Sequence, residues 1–126
     1  MAHRGPAKEG DACKTWHMAV TGEAAGEWKK VLEKPGLPNG HDARSFFYFD
    51  PVGRVGLLYE NATRAIWSYD PDKTEWTLLK PDGPPPPEKG DARPVAYFDV
   101  ARNVFVVNMG TTTWVYRFRK PAAENT

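Results

Sequence analysis

The chain repeats itself with a period of about 48 residues. Trp28-Lys29-Lys30-Val31 aligns with Trp76-Thr77-Leu78-Leu79 at an offset of 48. Asp42-Ala43-Arg44 aligns with Asp91-Ala92-Arg93, and Tyr48-Phe49-Asp50 with Tyr97-Phe98-Asp99, both at 49. Trp67-Ser68-Tyr69 aligns with Trp114-Val115-Tyr116 at 47. The four landmarks keep their order and nearly their spacing. A unit repeated at this interval cannot bury its apolar face alone and must stack on a neighbour.

The period is that of a solenoid or a β-propeller, and the local pattern selects strands. Strand-like runs lie at 27–32, 45–49, 54–60, 65–69 and 75–79, and again at 95–98, 103–108 and 113–118. Breakers separate them: Asp50-Pro51-Val52-Gly53, Asn61-Ala62-Thr63 and Asp70-Pro71-Asp72-Lys73. In Asp-Pro the ring presets φ and the carboxylate accepts from nearby backbone N–H groups, so each is a turn. Phe46-Phe47-Tyr48-Phe49 and Val104-Phe105-Val106-Val107 do not alternate apolar with polar. A strand wet on one face should alternate. These runs therefore predict burial on both faces, as in a blade sandwiched between two others. Residues 22–34 carry a weak helix signal, but the match of Trp28 to Trp76 argues for a strand. Two stretches rich in Pro and Gly, 33–42 and 80–91, occupy the same place in successive repeats. The second contains Pro84-Pro85-Pro86-Pro87, which reads as a stiff connection between blades or as a polyproline docking motif.

With strands labelled a to d, the pattern resembles a kelch-type β-propeller over roughly residues 27–120. The residues that carry the resemblance are Trp67, Tyr69, Asp70, Pro71 and Trp76, then Pro81, Gly83 and Arg93. Where kelch repeats have a Gly-Gly pair, this chain has Tyr59-Glu60 and Asn108-Met109-Gly110. The WD40 pattern is the runner-up and lacks its Trp-Asp and Gly-His pairs. The resemblance implies an all-β chain of four-stranded antiparallel blades, about two per chain. It implies packing roles for Trp28, Trp67, Trp76 and Trp114. Arg44 and Arg93, which follow the linkers, would satisfy turn carbonyls or pair with Asp42 and Asp91.

The expected division is a tail or arm at 1–26 with one short strand near 16–20, a two-blade unit at 27–120, and a tail at 121–126. The strand order is then d, a-b-c-d, a-b-c, in all eight strands. Two blades cannot close, because a propeller takes about 4–8. Either the remaining blades belong to a longer propeller, or identical chains assemble, with 27–32 of one completing the a-b-c sheet of the next. The latter contact is head-to-tail and closes into a ring or runs on as a fibre.

Chemistry-bearing motifs do not appear. There is no Gly-x-Gly-x-x-Gly, Walker loop, His-Glu-x-x-His or Gly-x-Ser-x-Gly. His3, His17 and His41 are far apart, so no metal and no cofactor are expected. Cys13 has no partner for an internal disulfide. It also lies outside the repeats, away from any Tyr–Cys centre of the kind in kelch-like copper oxidases. A net charge of +1 supplies no field to gather nucleic acid or an anionic membrane. The reading is a non-catalytic binding or scaffold module, with itself or further blades as partner and a protein or carbohydrate as ligand. The alternative is a terminal part of a larger secreted propeller enzyme, galactose-oxidase-like or sugar-processing. In an up-and-down blade the d–a and b–c loops share a face, which would present His41, Asn61, Arg64, Lys89 and Asn108 to a ligand.

Overall fold

A computed structural model describes residues 1–4, 10–38, 45–60, 63–83, 95–110 and 112–118. Ten strands run in order: β1 (Ala2–Arg4), β2 (Cys13–Met18), β3 (Trp28–Lys34), β4 (Phe46–Asp50), β5 (Val55–Glu60), β6 (Ala65–Asp70), β7 (Glu75–Leu78), β8 (Val95–Asp99), β9 (Val104–Met109) and β10 (Thr112–Tyr116). They form three antiparallel sheets of consecutive strands: a first sheet β1-β2-β3, a middle sheet β4-β5-β6-β7 and a last sheet β8-β9-β10. The described residues contain no helix.

The turns form for the reason their aspartates suggest. Asp50 Oδ1 accepts from the N–H groups of Val52 at 2.9 Å and Gly53 at 3.0 Å. Asp70 Oδ1 does the same for Asp72 and Lys73, at 2.9 and 3.2 Å. Asp99 Oδ1 accepts from Arg102 N at 3.1 Å. Each of these turns ends in a left-handed residue: Arg54, Thr74 and Asn103, with φ of 56°, 50° and 53°. Arg54 and Asn103 stand 49 residues apart, so the repeat extends to backbone conformation.

The middle sheet lies between the other two. Val55, Leu57, Tyr59 and Ile66 form one core with Ala96, Phe105 and Val107 of the last sheet, flanked by Tyr48, Phe98, Trp114 and Tyr116. Tyr48 Oη donates to the Ala96 carbonyl across this interface at 2.8 Å. On the opposite face Leu58, Tyr69 and Trp76 form a second core, against which Leu32, Leu37 and Trp67 pack. Every residue of β5 is buried, as a strand covered on both faces must be.

Three expectations are corrected. The strand at 27–32 does not stand alone: β3 pairs with β2 over its length and β2 with β1, so the eight strands of 27–120 are joined by two more from the N-terminal segment. β1 has only three residues and β2 interleaves lysine and histidine with its apolar positions, so neither carries a strong strand signal. Nor is β4 buried on both faces. Phe46 and Tyr48 turn toward the core while Phe47 and Phe49 are 38% and 52% exposed. Phe47 lies over Gly56, where a Cβ would come within 2.1 Å of its ring. Finally, Trp28 is not packed like Trp76: it is 54% exposed, and Trp76 is 8% exposed. β7 faces the first sheet, whereas no described element covers the Trp28 side of β3.

Register reveals a third copy of the repeat. Tyr69 pairs with Trp76 and Trp67 with Leu78; in the first sheet Met18 pairs with Trp28 and Trp16 with Lys30. Trp16-His17-Met18 thus occupies the place of Trp67-Ser68-Tyr69.

Two stability outcomes follow. Leu57, fully buried, should cost about 2–5 kcal/mol when changed to Ala. Asp50→Ala should cost about 1–3 kcal/mol by leaving turn N–H groups without their acceptor. Urea denaturation measures both; a loss below about 1 kcal/mol for Leu57→Ala would contradict the sandwiched placement of β5.

Candidate functional site: a polar seam and two open faces

The first and middle sheets meet through buried polar groups. Trp76 Nε1 donates to Thr15 Oγ1 at 3.1 Å. Thr15, fully buried, lies 2.7 Å from His3 Nδ1, and His3 Nε2 lies 2.8 Å from the Pro38 carbonyl. A carbonyl only accepts, so Nε2 carries the proton and Nδ1 accepts from the Thr15 hydroxyl. The chain of donors closes with a neutral imidazole. Burial holds the His3 pKa below the usual histidine value, against a smaller opposing effect of the Pro38 bond. The His3 ring also packs on Trp76, at 4.9 Å between centroids.

A second contact lies further along the same seam. His17 Nε2 and Tyr69 Oη are hydrogen-bonded, and their rings meet edge to face. Burial lowers the His17 pKa and pushes the Tyr69 hydroxyl up to about 12, so both are neutral at pH 7. Beside them opens a crevice of about 270 Å³, walled by Phe47, Phe49, Met18 and Pro71 with Gly56 at its floor.

The outer surfaces of the end sheets differ from this seam. In the last sheet Tyr97, Val106 and Val115 form one cross-strand row, and Val95, Asn108 and Thr113 the next. Val95, Tyr97 and Val115 are 62%, 51% and 55% exposed. The alternate row, Ala96-Val107-Trp114, faces the middle sheet. On the first sheet Thr15 and His17 face the middle sheet, so alternation places Trp16 on the far side. There stand also Trp28, Lys30 and Lys14, with Glu33 bridging the two lysines.

Of the loop residues expected to bind, His41, Asn61 and Lys89 lie outside the described residues, as do Arg44 and Arg93. Arg64 is half-buried in a left-handed turn position, with φ of 57°. Asn108 donates from Nδ2 to Thr113 Oγ1 at 3.0 Å, on the open row of the last sheet. Trp67, half-buried, donates from Nε1 to Glu60 at 3.0 Å and packs toward the first sheet. Trp114 packs in the core between the middle and last sheets and stacks on Tyr116. Among the described residues no cluster of three or more His, Cys, Asp or Glu is placed to hold a metal ion. Sequence reading missed the seam residues His3, Thr15 and His17. Their only signal is a third, weaker Trp-x-Met copy of the repeat.

The seam makes stability depend on pH. The folded chain holds a proton on His3 and His17 less well than the unfolded chain does. Their contribution is therefore full above about pH 6.5 and is lost as pH falls through their lowered folded values. Thermal melts between pH 7.5 and 5 should show Tm falling, and His3→Gln with His17→Gln should flatten that slope. An unchanged slope in the double variant would remove the two histidines from the account.

No family model matches the chain, and neither curated proteins nor solved structures yield a significant match.

Proposed function

We propose that the chain is a non-catalytic scaffold and binding module, a unit of kelch-like propeller blades that completes its architecture by stacking head to tail on copies of itself. One observation carries this reading. The row Tyr48-Leu57-Ser68 of the middle sheet is the repeat counterpart of Tyr97-Val106-Val115 in the last sheet. The first row is covered by a neighbouring sheet; the second leaves its tyrosine and a valine more than half exposed. An apolar face of this kind, in a molecule that covers its equivalent internally, is an interaction surface.

The complementary surface is the far side of the first sheet. Trp16 and Trp28 stand there where Trp67 and Trp76 stand in the middle sheet. Within the chain, the face bearing Trp67 and Trp76 is the one that receives the preceding sheet. Stacking the last sheet of one copy on the first sheet of the next repeats that contact between chains. Such a contact is heterologous and closes into a ring when its rotation allows, or else runs on as a fibre. With three sheets per chain, two copies reach about six, inside the usual range of about 4–8 blades. Strand exchange through 27–32 has no part in this version, because β3 is already committed to β2. The closed module would then present its loops, including Arg64, to a protein or carbohydrate ligand.

Light scattering after gel filtration tests the reading. A mass of twice the chain is expected, falling to that of the monomer for Val95→Asp combined with Val115→Asp. Both positions are exposed, so the variant should keep its circular dichroism and its fold. A wild-type chain that stays monomeric from micromolar to millimolar concentration, or an assembly indifferent to the double substitution, would overturn it.

A further inference from the structure

The middle and last sheets are built alike except at one edge. In the middle sheet β7 pairs with β6, and Trp76 covers Tyr69 at 4.6 Å between ring centroids, leaving Tyr69 2% exposed. In the last sheet the described strands stop at β10, whose outer edge pairs with no described strand. Tyr116, the counterpart of Tyr69, is only half-buried and stacks on Trp114, with ring planes 4° apart. Beside this edge runs an open groove of about 440 Å³. One wall is Lys80, Pro81 and Asp82, the other Trp114, Val115, Tyr116 and Arg117.

The chain itself displays what fills such a groove. In the middle sheet that position is held by β7, with Glu75-Trp76 and then Leu78; β3, its repeat counterpart, also has tryptophan directly after glutamate, Glu27-Trp28. Among the described residues no Glu-Trp strand plays this part for the last sheet. We propose that the outer edge of β10 is a docking site for an extended segment of a partner polypeptide, in which Glu-Trp is followed two residues later by an aliphatic side chain.

The register of the middle sheet sets the fit. Trp76 lies opposite Tyr69, Leu78 opposite Trp67 and Glu75 opposite Asp70. Carried to the last sheet, the incoming tryptophan lies opposite Tyr116 and the aliphatic residue opposite Trp114. The glutamate then lies opposite Arg117, where the middle sheet has an aspartate. Arg117 and Lys80 outnumber Asp82 on the groove walls, so a segment with an acidic lead is attracted where the internal pair is repelled. Backbone hydrogen bonds to a free strand edge supply sequence-independent affinity, and the two side-chain sites supply selectivity. The site rests on the free edge of the last sheet and stands whether or not the chain stacks on copies of itself.

A fluorescein-labelled octapeptide with the sequence of residues 73–80, Lys-Thr-Glu-Trp-Thr-Leu-Leu-Lys, tests the site by anisotropy with the full chain as titrant. Binding is expected, weakened about 10-fold or more by alanine in place of the peptide tryptophan. Arg117→Glu, at an exposed position, should weaken it about fivefold, and a peptide with lysine for glutamate should recover part of that loss on the variant. Equal affinity of the tryptophan and alanine peptides, or no binding at about 1 mM chain, would overturn the proposal. So would a peptide signal that diminishes as chain concentration rises into the range of self-association, because the edge would then be occupied by a second copy.

Discussion

Burial of β5 on both faces is the constraint from which the rest of the structure follows. Val55, Leu57 and Tyr59 point one way and Leu58 the other, and all are buried. Here β5 meets that demand by lying between two other sheets, because an antiparallel sheet with one wet face would alternate. The last sheet answers one face with Phe105 and Val107, the first sheet the other with Leu32. Each flanking sheet then inherits an uncovered face of its own. A stack of repeats therefore passes its unsatisfied apolar area outward to its ends, which is where the proposed contact between copies lies.

The two internal interfaces are joined by different means. Between the middle and last sheets the contact is largely apolar, crossed by the bond from the Tyr48 hydroxyl to the Ala96 carbonyl. Between the first and middle sheets it runs through Trp76, Thr15, His3 and Pro38. Trp76 only donates and the Pro38 carbonyl only accepts, while Thr15 and His3 between them each do both, so the network fixes the tautomer and orientation of the imidazole. Polar groups that are buried and fully matched specify a unique arrangement more sharply than apolar contact does. The first sheet is short and rich in lysine, with little apolar area to hold it. Directional bonds take over the task of positioning it.

The proposed function rests on where the repeat is interrupted. Cross-strand rows that are covered in the middle sheet recur uncovered in the last. A strand edge capped by a Glu-Trp segment in the middle sheet recurs beside Tyr116 and Arg117 with no described strand upon it. Internal repetition thus acts as a control within one molecule: equivalent residues are seen once with their partner and once without. The faces and the edge are separate surfaces, one suited to a sheet and the other to an extended segment.

The period, the Asp-led turns and the non-alternating apolar runs were enough to determine an all-β chain of stacked antiparallel sheets. These are local properties, set by backbone preference and by the spacing of apolar side chains. The eight strands from β3 to β10 lie within about two residues of where that pattern places them. The first sheet was less legible. Its strands are held by His3, Thr15 and Trp76, residues up to 61 positions apart, and no local signal encodes such a contact. Phe47 and Phe49 read as core but stand half open, because a side chain's burial depends on what the neighbouring sheet places opposite it. Trp28 and Trp76 make the same point with identical residue types in identical strand positions. Sequence set their place in the repeat; only the stacking of whole sheets decided that one would be covered and the other left to the surface, since burial belongs to the contact between layers and not to the strand alone.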